Sequence, residues 1–171
     1  MTVEARAQAE NGGAWVVQGV IGGAIAGIVF SIFEMGWGYL QGGVEMATMP
    51  LRMIAAIALG PSAMDPSFAL VTAAIAGVTV HMALSMIYGA AFAVGVRALA
   101  PEAGAGALLV AAIALGLALW VVNFYAIGPA AGWTWFAEKT DPVVQAVAHG
   151  AFFGIPLGLY LARFAPREDT V

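Results

Sequence analysis

The chain has 171 residues, a net charge of −4, no cysteine and a mean hydropathy of +0.92, with 62% hydrophobic and 9% charged residues. So few charges cannot clothe a soluble domain of this length, which leaves the bilayer as its solvent. With no run of Lys or Arg to track a phosphate backbone and no thiol, nucleic-acid binding, disulfides, thiolate metal sites, iron–sulfur clusters and covalent c-type haem are excluded.

Residues 1–13 are polar, with Glu4, Arg6, Glu10 and Asn11, and read as a cytoplasmic tail. The apolar run that follows exceeds the ~7–15 residues of a signal-peptide core, so it is expected as a retained membrane helix. Crossing a ~30 Å hydrocarbon core takes ~20 helical residues. Four segments reach that length, roughly Ala14–Leu40, Phe68–Val96, Gly106–Ile127 and Val143–Ala162. Trp15, Trp37, Tyr39, Trp133, Trp135 and Tyr160 sit near their ends, as interfacial anchors do. Between the first two spans lies "MPLRMIAAIALGP", with Pro50 at a helix-opening position and a stop at Gly60-Pro61. At ~10 residues it is too short to cross, and an interfacial or re-entrant helix is expected over about 49–60. The predicted fold is an all-α integral membrane four-helix bundle over 14–163, with a second cytoplasmic tail over 164–171.

Calling the N-terminal face side A, four spans return the C-terminus to it. Side A then holds Arg6, Arg97, Arg163 and Arg167, and side B holds Arg52 and Lys139. That bias predicts a cell (cytoplasmic) membrane protein with both termini in the cytoplasm. A faint repeat runs through the second and fourth spans. His81 is followed by "RALAPE" and His149 by "RFAPRE", an arginine about four turns on and then Ala-Pro. This spacing predicts a duplicated two-helix hairpin.

The segments "MPLRMIAAIALG", "HMALSMIYG", "LWVVNFY" and "VVQAVAHGAFFGIPLGLYL" resemble an uncharacterised family of small four-span bacterial membrane proteins. The resemblance covers most of the chain after the first dozen residues. Some members bear an automatic "sodium:proline symporter" label, although symporters of that kind use many more spans and broken helices. The resemblance implies a multi-span bacterial membrane protein and supplies no chemistry.

Each span carries one conspicuous polar residue, Glu34, His81, Asn123 and His149, with Gln145 one turn before His149. At ~1.5 Å per residue, His81 lies ~24 Å and His149 ~21 Å from the side-A arginines, and Glu34 and Asn123 lie ~25–30 Å from side A. All four therefore share one layer nearer side B. Gly19, Gly23 and Gly27 recur every fourth residue, with Glu34 two turns further on. Gly77, His81, Ser85 and Gly89 make a second stripe, Gly116 lies seven residues before Asn123, and Gly150, Gly154 and Gly158 lie one residue round from His149. Small residues let helices approach closely, so these stripes are expected to face the bundle. Pro156 is expected to kink the fourth span and free the Phe152 carbonyl.

Intramembrane ionisable groups face each other or a cavity, so His149 is expected in a shared polar cluster with Glu34, Asn123 and Gln145. One reading is structural, with hydrogen bonds of ~1 kcal/mol each fixing helix pairing. A second is cofactor binding, with His81 and His149 as axial ligands of haem b and Gly77 and Gly150 making room for the ring. In a variant of it, two histidines and Glu34 hold a transition metal, near the side-B methionines Met35, Met46, Met49, Met53 and Met64. A third is small proton-coupled transport through Glu34, as in small multidrug exporters. Few serines, no HExxH helix and a "PEAGAGALL" stretch lacking Lys-Ser/Thr give no hydrolase or nucleotide site. The resulting expectation is a non-catalytic accessory or structural component of a larger or homo-oligomeric membrane assembly, with lipid and protein partners.

Overall fold

The computed structural model describes residues 3–166, with side chains described from residue 11 onward. Of the orientation residues, the Arg6 side chain and Arg167 lie outside the described part, as do residues 167–171. The fold is all-α. Helix α1 spans Val3–Leu59, α2 Leu70–Leu99, α3 Ala105–Ala130, α4 Trp135–Glu138 and α5 Pro142–Phe164. All but α4 are long and apolar enough to cross a membrane, and the chain is a multi-pass membrane protein.

Helix α1 is two arms joined at Gly42–Gly43. Gly43 has φ +66° and ψ −149°, a conformation that needs glycine, and it turns the chain back on itself. The second arm, 44–59, corrects two expectations. It is longer than the anticipated 49–60, and Pro50 lies inside it rather than at its start. Pro50 has no N–H for the Met46 carbonyl, and that carbonyl lies against Gly38 of the first arm, where a side chain would collide with it. The arm crosses the side-B end of the bundle. Its Leu51 backbone meets Gly77, seven residues or about 10 Å into α2.

Arg52, on this arm, is 7% exposed, and its Nη1 donates to the carbonyls of Ala63, Asp65 and Phe68 at 3.2, 2.9 and 3.1 Å. One guanidinium thus holds the 60–69 connector in place. Asp65 within it accepts from the Ser67 hydroxyl and amide, which hold its exposed carboxyl below the usual range. Met53, Ala55, Ala56, Ala63, Ala73 and Trp135 form a small side-B core around the arm. Trp135 and Trp15, expected as interfacial anchors, are buried instead, and Trp135 Nε1 donates to the Met53 carbonyl at 3.2 Å. Tyr160 donates to Gln18 within the bundle, whereas Trp37 and Tyr39 are exposed as anchors should be.

The spans stand in a bent row, α2–α1–α5–α3, in which α2 barely touches α3. The glycine stripes make the first and last contacts of that row. A methyl group on Gly19 would sit 2.6 Å from the Gly89 carbonyl, and Gly23 lies on the Ser85 carbonyl. On the other side Gly154 and Gly158 meet the Ile113 and Leu109 backbones, and Gly116 meets the His149 carbonyl. The seams expected to face the bundle therefore pack the chain's own spans together. Gly27 faces the Ser85 and His81 side chains, and Gly116 faces the His149 backbone.

Neither α3 nor α5 is regular. Each widens into a π turn, Asn123–Ile127 and Ala148–Gly154, that ends two residues before a proline, Pro129 or Pro156. A proline removes one donor and crowds the carbonyl four residues back, and a π turn relieves that crowding. The expected kink at Pro156 is realised as this widening. Asn123 and His149 both sit within such turns.

Candidate functional site

The gap between α2 and α3, roofed by the 44–59 arm and α4, holds a cavity of about 620 Å³. Glu34, His81, Asn123, Gln145 and His149 all line it. Depth follows from their spacing along the spans, and facing follows from the glycine seams that fix each helix's rotation.

Gln145 is 5% exposed, and its Nε2 donates to both Glu34 oxygens at 3.1 Å. Gln145 also anchors His149 through its backbone, since its carbonyl accepts from His149 Nδ1 at 2.9 Å. A carbonyl only accepts, so His149 carries its proton on Nδ1 and keeps a lone pair on Nε2. His81 has the opposite tautomer, because its Nε2 donates to the Gly27 carbonyl at 2.9 Å. Ser85 lies 3.5 Å from that same nitrogen, too far and wrongly matched for an activated nucleophile. Across the gap, Tyr88 donates its hydroxyl to Asn123 Oδ1 at 3.2 Å.

The two imidazoles line one cavity and both touch Phe30. Phe30 stacks on His81 with centroids 5.5 Å apart and meets His149 edge-on at 4.8 Å. Phe124 closes the other side of His149 at 5.5 Å. This does not suit bis-histidine haem, because both rings pack on Phe30 and the His81 Nε2 is engaged by the Gly27 carbonyl. Nor do Gly77 and Gly150 make room, since Gly77 faces the Leu51 backbone and Gly150 faces Leu117. Among the described residues no three His, Cys, Asp or Glu converge as metal ligands.

Met46, Met49 and Met53 line the cavity from the arm, and Met64 packs in the side-B core. Trp37, Trp133 and Phe136 add aromatic walls. At the exposed rim stand Gln41, Lys139 and Asp141, so the cavity reaches the surface at side B. Asp141 caps α5, accepting from the Val143 and Val144 amides at 2.8 and 3.0 Å. Toward side A the α1 and α5 walls give way to a packed core of Trp15, Ala26, Phe153, Leu157 and Leu161.

Phe30, Tyr88 and Arg52 are the residues that sequence reasoning missed. Phe30 sits one turn from both Gly27 and Glu34, and Tyr88 continues the His81–Ser85 face, so helical spacing marked both. Arg52 carried no such signal, because its partners are backbone carbonyls.

Phe30 couples the histidines. His81→Ala and His149→Ala are each expected to lower thermal stability by about 1–2 kcal/mol, from lost hydrogen bonding and ring packing. The double variant should cost less than the sum, because either change already unseats Phe30. Strict additivity in thermal denaturation would show that the ring does not link them.

No protein-family model matches the chain, and no curated protein or solved structure is similar to it.

Proposed function

We propose that this is a non-catalytic component of a bacterial cytoplasmic membrane, with both termini in the cytoplasm, that binds a small ligand in its side-B cavity from the outer face. The observation that carries this reading is the cavity itself. A space of about 620 Å³, mostly apolar and aromatic, with five convergent polar side chains, has the make-up of a small-molecule site. The non-catalytic assignment rests on the hydrogen bonds, which tie Glu34 to an amide and both histidines to backbone carbonyls. The resemblance to four-span bacterial membrane proteins supports the compartment, and the arginine bias supports the orientation. In a larger assembly such a chain would serve as an accessory, ligand-sensing subunit.

Transport through Glu34 has one observation in its favour, a carboxylate held by a single amide in an open cavity. It also needs a polar path to side A, where the described core and the α2/α3 gap are apolar.

The chain lacks native cysteine, so single cysteines report cleanly. We expect a small impermeant thiol reagent on intact cells to label Glu138→Cys at side B and Leu84→Cys in the cavity, and to spare Glu102→Cys at side A. Labelling of position 102 alone would reverse the orientation. A labelled 138 beside an unreactive 84 would mean that the cavity is sealed and the ligand reading fails.

A further inference from the structure

A second hollow, about 430 Å³, continues the same helix–helix gap toward side A between Ala91, Phe92, Gly95 and Leu99 of α2 and Ala111 and Leu115 of α3. It is aligned with the first. On α2 the faces Leu84, Tyr88, Ala91, Gly95 and Leu99 follow one another at three- and four-residue steps, and on α3 so do Asn123, Leu119, Leu115 and Ala111. Residues so spaced share one face of a helix. An apolar trough therefore lies in line with the polar cavity, parallel to the helices and about 16 Å long from Tyr88 to Leu99. Ala91, Gly95 and Ala111 form its floor, and the larger Phe92, Leu99 and Leu115 flank it. The Tyr88–Asn123 hydrogen bond stands at the junction.

The polar end is rich in acceptors. Glu34 receives only the Gln145 amide, and no described cation pairs with it. The tautomers leave lone pairs on His149 Nε2 and His81 Nδ1. Phe30, Trp37, Trp133 and Phe136 surround these acceptors with aromatic faces that favour a cation. The one lysine lining this space, Lys139, is exposed at the rim.

We propose that cavity and trough together hold one single-chain amphiphile, with a primary ammonium head at Glu34 and an alkyl chain along the α2/α3 trough. This rests on reading the cavity as a ligand site and names its ligand class. The head matches the unpaired carboxylate and the imine lone pairs. The chain matches a trough that lies along the acyl-chain direction and opens where α2 and α3 do not pack. The ligand would enter from the outer face chain first, and the alkyl chain would displace the Tyr88–Asn123 bond as it settles into the trough.

The test uses the full chain in phosphatidylcholine nanodiscs, with binding followed by tryptophan fluorescence and thermal shift. The probes are dodecylammonium, phenethylammonium (a head with no chain) and dodecanol (a chain with no charge). Dodecylammonium should bind saturably and at least tenfold more tightly than either control, and Glu34→Gln should weaken it about tenfold or more. Gly95→Phe fills the trough from a position with open space around it, and Ala111→Leu does so from the opposite wall. Both should weaken dodecylammonium about tenfold and leave phenethylammonium unchanged. Equal affinity for the two amines, with neither trough variant having an effect, would overturn the trough assignment and leave the cavity reading standing. Dodecanol binding as well as dodecylammonium, with Glu34→Gln inert, would overturn the head assignment. Failure of every probe to bind would overturn the proposal, and the accessibility of position 84 then decides the cavity reading on its own.

Discussion

Gly23→Leu is expected to destabilise the protein by about 3 kcal/mol or more, the upper range for forcing added atoms into a packed interior. Gly23 lies on the Ser85 carbonyl and against Gly89, so even a methyl group has no place, and neither backbone can move without separating α1 from α2. That separation would also break the His81–Gly27 hydrogen bond one turn away. Gly36→Leu is the control, because nothing surrounds that position. Melting in detergent should fall sharply for Gly23→Leu and hardly at all for Gly36→Leu. An unchanged melting temperature for Gly23→Leu would mean that the α1/α2 seam is misplaced.

Arg52→Met should be of similar size, about 3 kcal/mol, through a different cause. The variant keeps the volume and strands three carbonyls, of which the Ala63 oxygen lies in a buried residue. Leaving a buried acceptor without a donor costs roughly 1–3 kcal/mol. Hydrogen exchange should rise across 60–69 and over the arm 44–59, while α3 and α5 stay protected. Arg52→Lys should recover part of the loss, since an ammonium reaches fewer acceptors than the planar fork does. Native exchange in Arg52→Met would show that the connector stands without its anchor.

Four apolar spans and the depth of Glu34, His81, Asn123 and His149 were legible because both depend on a regular rise along a helix. Facing was legible where glycine marked it. Two kinds of feature were not. The second arm of α1 depends on Gly43 reversing the chain and on Arg52 reaching carbonyls up to 16 residues away, and neither leaves a periodic trace. Phe30 between the histidines looked like one more apolar residue of the first span, so two histidines at one depth suggested a ligand pair. All four line one cavity, but distance across the axis depends on what fills the space between. The π turns were half visible, as prolines whose relief could have been a kink or a widening.

The Glu34–Gln145 bond joins residues 111 apart in the chain. Synthesis runs at roughly 5–20 residues per second, so Glu34 waits about 6–22 s after emerging before its partner exists. During that interval the first span is in the membrane with a carboxylate that still lacks its Gln145 partner. The last span to be made is thus the one that completes the first, and a chain released before residue 145 would present membrane quality control with an uncapped carboxylate.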